Sequence, residues 1–541
     1  MDGKIWRNLN FNPRAVKVLF GIMALAVLAG AQEQKKPIFV TSDKCIACHT
    51  DMVDEHGRKN SIGLTWQSSM MSLSAKDPYW QAAVRREIAD RPHLQKEIED
   101  TCSVCHMPMF RTTAKAQGKS GEIIRYIEGG FSPAEQALAE DGVSCAVCHQ
   151  ISAENLGKHS SFDGGYVITS SLPEQTKIFG PYDVEPGLKK VMQSATAMTP
   201  EKSTHIQQSE LCATCHTLFT PAIDGDGKTI GEFAEQVPFL EWKHSGFYKT
   251  TSCQDCHMPE ADGKSQISSV LGGMRENVSL HKFRGGNAFM LKLYDKYRDE
   301  LNVKTPPKEL AASIQATLDN LQQNSATVDI IGLDINNSSA IIKIKVTNKT
   351  GHKLPTAYPS RRVWLHTTVQ DQEGKTLFES GALNPDGSIV GNDNDSDPDK
   401  FEPHYLEITR EDQVQIYEPI IFDYKNDVTT SLLSGAIYAK DNRLLPAGFD
   451  KATAERAVGV NGAAESDDNF KAESDIIVYK VPLPAGVDDV QISAKLMYQT
   501  IGYRWAQNLK AYSSRETKRF VGYFEDNAGI SAVVLAETVG K

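Results

Sequence analysis

The sequence predicts a multidomain protein in which a loop-rich, mainly helical part precedes an antiparallel β-sandwich. Three observations lead to this fold class. The chain has 541 residues, which is enough for more than one hydrophobic core. All 10 cysteines lie in the first half of the chain, between residues 45 and 256. From about residue 326 the apolar residues recur with a period of two, which is typical of half-buried strands.

The composition excludes several classes of protein. The chain has 58 Lys and Arg against 69 Asp and Glu, a net charge of −11. Because nucleic-acid-binding proteins usually carry a basic surface, we expect no nucleic-acid partner. Hydrophobic residues make up 40% and charged residues 23%, which is typical of a globular protein. Ten cysteines in a chain of this length are too few for a disulfide-stabilised scaffold.

The first 31 residues have the pattern of an export signal. Basic residues at positions 4, 7, 14 and 17 are followed by an apolar run over 18–31 that ends in Ala29-Gly30-Ala31. Such a run with small residues at its end is typical of a cleaved secretory signal peptide. A retained N-terminal anchor is the alternative, although the run is short for a membrane span. We therefore predict a signal peptide over 1–31 and a periplasmic or extracellular mature protein.

The cysteines form five pairs, each followed by a histidine in the pattern Cys-x-x-Cys-His. In chain order, the first to fifth motifs are Cys45, Cys48 and His49; Cys102, Cys105 and His106; Cys145, Cys148 and His149; Cys212, Cys215 and His216; and Cys253, Cys256 and His257. This is the attachment motif of c-type haem, in which two thiols bind one porphyrin and the histidine is the proximal iron ligand. Disulfides would not explain the histidines, and five pairs do not combine evenly into four-ligand zinc sites. The sequence therefore predicts five covalent haems c.

The close succession of the motifs sets the predicted domain organisation. It leaves too little protein to surround each haem separately, so we expect a compact pentahaem domain over 32–300. Amphipathic patterns predict helices over 287–300 and 307–323, with a helical connector over 301–325. The β-sandwich is expected over 326–541. Its predicted strands share alternating apolar residues and include 342–346, 363–369, 414–422, 476–481, 490–498 and 532–535.

Several stretches resemble a family of exported multihaem c-type cytochromes with a C-terminal β domain. They are 66–71 with Asp77-Pro78, 142–150, 179–182, 209–216, 281–287, and 351–356 with Arg361-Arg362. The motif region is also similar to the group of electron carriers, hydroxylamine oxidoreductases and nitrite reductases. Ammonia-forming nitrite reductases typically have lysine in place of one motif histidine. All five motifs here keep histidine, which argues against that enzyme.

The sixth ligand of each haem iron distinguishes an electron carrier from an enzyme. The resemblance and the local sequence favour His205, His281 and His352 as distal ligands. His205 lies close before the fourth motif, His281 precedes two glycines that permit close approach, and His352 lies in a loop stiffened by proline. The sequence leaves the following other candidates open: His56, His93, His159, His244, Met70, Met71 and Met192.

These observations predict a multihaem cytochrome that carries electrons through closely packed haems in an extracytoplasmic respiratory chain. The expected partners are other cytochromes or a membrane quinone-oxidising complex, and a peripheral association with the membrane is compatible with this. One alternative is an oxidoreductase that converts a small nitrogen or sulfur compound at one open haem. Another is a structural subunit of a haem-bearing filament or membrane complex. The sequence identifies no catalytic residue, and the oligomeric state stays open.

Overall fold

A computed structural model describes residues 38–168, 176–336 and 338–541. The predicted signal peptide over 1–31 lies outside these residues. The helices, numbered in chain order, are α1 Asp43–Ile46, α2 Ile62–Gln67, α3 Pro78–Asp90, α4 Gln95–His106, α5 Pro108–Ala116, α6 Ile123–Ile127, α7 Pro133–Glu140, α8 Cys145–Gln150, α9 Pro186–Thr196, α10 Ser209–Ala213, α11 Pro238–Lys243, α12 Cys253–His257, α13 Ala288–Lys296, α14 Pro307–Asn324, α15 Asp393–Ser396, α16 Tyr503–Gln507 and α17 Arg515–Glu525. In the described part of the chain, no helix is both long and apolar enough to cross a membrane.

The strands before residue 326 form small two-stranded sheets. They are β1 Met52–Val53, β2 Lys59–Asn60, β3 Lys177–Gly180, β4 Thr199–Lys202, β5 Leu218–Ile223, β6 Thr229–Gln236, β7 Ser265–Gln266 and β8 Met274–Arg275. Helices in this region begin at clear local signals. For example, α3 starts at Pro78 because the Asp77 carboxylate accepts the backbone N–H groups of Tyr79 and Trp80 at 2.8 and 3.1 Å. The result is a loop-rich region of mostly short helices, as the sequence predicts.

The longer sheets lie after residue 326. Their strands are β9 Ala326–Asn336, β10 Ser339–Asn348, β11 Arg362–Gln370, β12 Thr376–Ser380, β13 Glu407–Ile408, β14 Ile416–Tyr417, β15 Pro419–Phe422, β16 Val428–Thr429, β17 Ile437–Asp441, β18 Ser474–Pro482, β19 Gln491–Gln499 and β20 Ala532–Gly540. One sheet has the order β13-β18-β10-β9, and a second has the order β12-β11-β19-β20 with β14 beside β11. Pairing is antiparallel except between β13 and β18.

The two large sheets face each other across one hydrophobic core. Alternate residues of β10 and β19 are fully buried in it, including Ile342, Ile344, Ile492 and Leu496. Burial of each such side chain contributes roughly 2 kcal/mol to the free energy of folding. The alternation that predicts strands in the sequence is therefore the alternation between this core and solvent.

The helical region and the sandwich share hydrophobic cores. Trp242 and Phe239 of α11 belong to the same buried cluster as the sandwich strands. Phe520 and Phe524 of α17 pack with Tyr79 of α3 in a second cluster. The predicted boundaries at residues 300 and 325 stay predictions, but the two regions are not separated by an open linker. The predicted connector contains α14, one residue longer than the predicted helix.

The sequence analysis missed three helices inside the predicted β region: the four-residue α15 and the helices α16 and α17. α16 and α17 lie within 503–525, and Ser514 caps the start of α17 because its hydroxyl accepts the N–H of Thr517 at 3.2 Å. The guanidinium of Arg85 in α3 pairs with Glu516 of α17 at 2.8 Å. These helices therefore fix the sandwich against the motif region.

Candidate functional site

Every Cys-x-x-Cys-His motif lies on a short helix or continues from the end of one. The helices are α1 for the first motif, α4 for the second, α8 for the third, α10 for the fourth and α12 for the fifth. In α12, Ser252 caps the helix start together with Asp255, which fixes the turn that carries Cys253. A helical turn brings two cysteines three residues apart onto neighbouring positions of one face. This local geometry is what two thioether bonds to one porphyrin require.

The first and fourth motifs differ from the others because their second cysteine and their histidine lie beyond the helix, which in the fourth motif ends at Ala213. Since α1 ends at Ile46, only Cys45 is helical, and Cys48 and His49 lie in the turn that follows. The backbone N–H groups of Cys48 and His49 donate to the carbonyl of Cys45 at 3.1 and 3.0 Å, which continues the helical turn. The carbonyl of Cys48 accepts the backbone N–H of Ser269 at 2.8 Å. Cys48 is thus held by a distant loop as well as by its own turn, and its role in haem attachment stays a prediction.

Several motif side chains are poorly solvated. His216 is accessible to solvent, yet burial lowers its pKa to about 4, with further lowering from His257 and Arg361. Burial likewise lowers the pKa of His106 to about 4 and raises that of the Cys148 thiol to about 12. Imidazoles with such low pKa values are neutral at pH 7, the form that binds a metal.

Four motif histidines have their ring orientation fixed by a backbone carbonyl. The Nδ1–H of His49 donates to Ile267 at 2.5 Å, that of His106 to Ser74 at 3.0 Å and that of His149 to Phe179 at 2.6 Å. The ring of His257 makes the same bond to Arg284. A carbonyl can only accept, so Nδ1 carries the proton and Nε2 keeps the lone pair that a metal needs.

Two motif histidines each face a second histidine from outside the motifs. The ring centroids of His149 and His281 are 6.2 Å apart with planes inclined by 14°. Those of His257 and His352 are 6.3 Å apart with planes inclined by 15°. Two metal–nitrogen bonds of about 2 Å each, plus the distance from nitrogen to ring centre, give a separation of about 6 Å. Each pair is therefore spaced to coordinate one iron from both sides.

Backbone carbonyls orient the rings of His281 and His352 in the same way as those of the motif histidines. Nδ1–H of His281 donates to the carbonyl of Ser279 at 3.1 Å, and Nδ1–H of His352 donates to that of Lys353 at 2.9 Å. Burial lowers the pKa of His281 to about 3 and also lowers that of His352. Both rings are thus neutral with Nε2 unprotonated.

The position of His205 disagrees with its predicted role. Its Nδ1 is 2.6 Å from the hydroxyl of Ser203, and its Nε2 is 2.8 Å from the carbonyl of Ile151. Because both ring nitrogens are hydrogen-bonded, neither is free to bind iron. The prediction relied on the short distance between His205 and the fourth motif along the chain. His205 is instead a buried structural residue.

The other candidates lie away from the motif histidines or in packed positions. His56, His93 and His159 are exposed, and His244 contacts Glu455 at 3.3 Å near the surface. Met70 packs at the edge of the α3–α17 core, and Met192 is half-buried on α9, which lies beside α1. Among the described residues, no second imidazole faces His49, His106 or His216. Instead, the indole of Trp80 stacks on His106 with centroids 4.3 Å apart.

The residues around the paired imidazoles fit a haem. Within the described ranges, Nε of Arg284 and the hydroxyl of Tyr498, which lies beside Gly286, are buried without a hydrogen-bond partner. Buried donors of this kind normally have an acceptor, and haem carries two propionate carboxylates. Arg284 also supplies the carbonyl that orients His257. Sequence reasoning missed these donors and the carbonyl partners, because a carbonyl is common to every residue.

The fold is shared with a solved multihaem protein. The chain is similar to a penta-heme cytochrome c552 from Thermochromatium tepidum, with a TM-score of 0.51 and 15% sequence identity. The likeness covers 93% of this chain and 100% of that chain. No family model and no curated protein matches the sequence. At this identity the likeness establishes the fold, which is that of a multidomain, multihaem-cytochrome-like protein with many antiparallel strands.

Mutual effects on thiol pKa values indicate which motifs are neighbours. The thiols of Cys45 in the first motif and Cys145 in the third lie close enough to shift each other's pKa, as do those of Cys105 in the second and Cys215 in the fourth. Cys212 of the fourth motif and Cys253 of the fifth shift each other's pKa in the same way. The charges of the third and fourth motifs also interact, because Cys215 raises the pKa of Cys148 after the larger effect of burial. The motif order in space is thus first, third, fourth, with the second and fifth beside the fourth.

A cluster of His404, Asp467 and Asp475 in the sandwich has the composition of a metal site but not its chemistry. Nδ1 of His404 accepts amide N–H groups from Gln415 at 2.8 Å and Asn442 at 3.1 Å. Both amide oxygens are used by backbone N–H groups, so these donors cannot be reversed. Nε2 therefore carries the proton and donates to Asp467 at 3.1 Å, which makes the cluster a buried hydrogen-bond network.

Proposed function

We propose that this chain is a pentahaem c-type cytochrome that carries electrons in an extracytoplasmic respiratory chain. The observation that carries the proposal is the pair of opposed imidazoles, His149 with His281 and His257 with His352, each built on a Cys-x-x-Cys-His motif. Two closed axial positions favour reversible electron transfer over ligand binding at those irons. When bound, the haems supply the one-electron chemistry of iron.

The residues of the chain hold and orient these groups. The ten motif cysteines would attach them, and the five motif histidines would be proximal ligands with His281 and His352 as distal ligands. Backbone carbonyls keep the ring nitrogens in the required tautomer. The thiols of neighbouring motifs shift each other's pKa, so the attached groups would be adjacent along the whole order described above. Such close spacing is what electron transfer between them needs.

The exposure of the fifth motif suggests where partners bind. Cys256 of this motif is exposed, whereas the other nine cysteines are partly buried. The partners we propose are other cytochromes or a membrane quinone-oxidising complex, in the periplasm or outside the cell. Anaerobic respiration is the setting that this combination of export and multiple haems favours.

Mass spectrometry of the matured protein tests the proposal directly. We expect a mass increase of five haems per chain, all resistant to acid extraction. Cys148→Ala should remove one attachment or convert it to a single thioether bond. Ser144→Ala, beside the same motif, is the control and should retain five. A matured wild-type protein with fewer than five haems would contradict the assignment.

A second candidate function is reduction or oxidation of a small nitrogen or sulfur compound at one open haem. It is favoured by the three motif histidines, His49, His106 and His216, that face no second imidazole among the described residues. Electron paramagnetic resonance of the oxidised protein separates the two functions. A fully low-spin spectrum supports the carrier, whereas a high-spin signal that disappears on addition of nitrite or cyanide supports the enzyme.

A further inference from the structure

A buried cluster of four charged residues joins the motif region to the sandwich. Glu241 comes from α11 in the motif region, whereas Lys353, Asp441 and Arg443 come from the sandwich region. Arg443 bonds Glu241 at 2.8 Å and holds both oxygens of Asp441 at 2.8 Å. Lys353 Nζ bonds Asp441 at 2.7 Å. All four side chains are less than 5% exposed.

This cluster controls the residue that orients His352. The backbone N–H of Lys353 donates to Glu241 at 3.1 Å, and the hydroxyl of Thr356 donates to the same carboxylate oxygen at 2.5 Å. Lys353 is therefore fixed at its N–H and at its ammonium group. Its carbonyl then accepts Nδ1–H of His352 at 2.9 Å. Glu241 acts on the imidazole through a single intervening residue.

The charges in the cluster depend on one another. Burial raises the pKa of Asp441, but Arg443 and Lys353 lower it more, so that the pKa falls to about 2. Two carboxylates and two cations balance, which lets the cluster stay ionised away from water. Removal of one partner leaves an uncompensated buried charge. The free-energy cost of that charge is far larger than the net stabilisation that the intact cluster provides.

We infer that Glu241 is a positioning residue for His352, and that the Glu241–Arg443–Asp441–Lys353 cluster presents this imidazole to the iron of the fifth motif. The inference rests on the proposed function, since it requires a haem at His257. It adds a role for residues that touch neither a motif nor the iron. Formation of the sixth bond at this haem is thereby tied to the docking of α11 against the sandwich.

The test compares holoproteins that carry five haems by mass. Carbon monoxide binds ferrous haem only when the sixth position is open, so its binding rate reports the dissociation of His352. His352→Ala sets the reference, with one additional haem that binds carbon monoxide at once. Glu241→Gln should bind it at that haem about tenfold faster than wild type, because Gln cannot accept from both Arg443 and the 353–356 loop. Asp395→Asn, which breaks the equally buried Arg362–Asp395 pair of 2.7 Å, is the matched control and should match wild type.

The possible outcomes distinguish a failure of the ligand assignment of His352 from a failure of the positioning role of Glu241. If His352→Ala binds no additional carbon monoxide, the ligand assignment fails, and the inference fails with it. If His352→Ala behaves as expected but Glu241→Gln matches wild type, the positioning role alone is wrong. If Asp395→Asn raises the carbon monoxide binding rate as much as Glu241→Gln, the effect reflects a general loss of stability, and the positioning role of Glu241 is wrong. Should Glu241→Gln not mature, Thr356→Val removes one contact to the same oxygen without burying a charge, and a rate unchanged from wild type in that variant contradicts the inference.

Discussion

The imidazoles of His257 and His352 lie in nearly parallel planes with ring centroids 6.3 Å apart, although one belongs to the last Cys-x-x-Cys-His motif and the other to a loop of the sandwich region. The pair His149 and His281 has almost the same separation and inclination within the motif region. One geometry thus occurs twice, once within the motif region and once across the junction with the sandwich. This repetition argues that the spacing is set by a common requirement rather than by chance packing.

Replacement of His352 should open one iron and leave the ligands of the others unchanged. We expect His352→Ala to convert one low-spin haem to high spin, measured by electron paramagnetic resonance of the oxidised protein. The haem count by mass should stay at five, because the thioether bonds do not involve this residue. His366→Ala, at a histidine of β11 that pairs with Glu379 at 2.8 Å, is the control. Identical spectra for wild type and His352→Ala would refute the assignment.

Replacement of His281 and of His205 should have opposite spectroscopic results. His281→Ala should produce a high-spin centre, because this imidazole faces His149 with Nε2 unprotonated. His205→Ala should leave all low-spin signals in place, since both of its ring nitrogens bond to the protein. It should instead lower thermal stability, by about 1–3 kcal/mol in free energy of unfolding, through loss of two buried hydrogen bonds. A new high-spin signal in His205→Ala would restore it as a ligand candidate.

Glu235 should make the protein less stable as the pH rises. Burial raises the pKa of this carboxyl to about 8, with smaller raising effects from Glu87 and Asp163 against a lowering hydrogen bond from Thr220. A raised pKa means that the folded state binds the proton more tightly than the unfolded state. The stabilisation is complete below the ordinary value of 4.5 and is lost as the pH rises through about 8.

Glu235→Gln should remove that dependence. Denaturant unfolding of the wild type should show a free energy that falls by up to about 1.4 kcal/mol per pH unit between pH 5 and 8 from this one group. The variant should have a flatter profile over the same range. Glu201→Gln, at an exposed carboxylate paired with Lys177, should retain the wild-type slope. Equal slopes in wild type and Glu235→Gln would show that the carboxyl is ionised in the folded protein.

Arg284 should tune a reduction potential without affecting ligation. Its carbonyl orients His257 in any variant, whereas its Nε is buried without a partner in the described ranges. Arg284→Met removes the charge and keeps the length of the side chain. We expect one haem potential to become more negative, because loss of a nearby positive charge favours the ferric state. A redox titration with Arg410→Met, at an exposed arginine, as the control measures this, and an unchanged set of potentials would contradict it.

Sequence reasoning succeeded where a residue type or a period carries the information. Alternation such as that of Ile342, Ile344 and Val346 marks strands because one face of each sheet is buried. Flanking Gly and Pro residues and the family resemblance singled out His352 and His281, each of which faces a motif histidine, and their role as ligands stays a prediction. The cysteine spacing located all five motifs, although not which of their residues, such as Cys48, would lie beyond the end of a helix.

The remaining features depend on contacts distant in sequence. The carbonyls of Ile267 and Ser74 orient histidines far from them in the chain, and a carbonyl has no residue-type signature. Glu241 lies in no motif, so its bond to Lys353 emerges only when α11 meets the sandwich. His205 illustrates the converse: proximity along the chain suggested a ligand, whereas tertiary hydrogen bonds occupy both nitrogens.

The five motifs, linked by the effects of their thiols on one another's pKa, form a branched arrangement without a closed ring. The first, second and fifth motifs are its ends. The fourth, with Cys212 and Cys215, is its only branch point among the described residues. Each motif is therefore connected to the others by a single route. Loss of an end motif removes one member and leaves the others connected. Loss of the fourth motif divides the remaining motifs into separate groups. Tolerance to damage is therefore unequal among five chemically identical motifs, and it is lowest at the fourth.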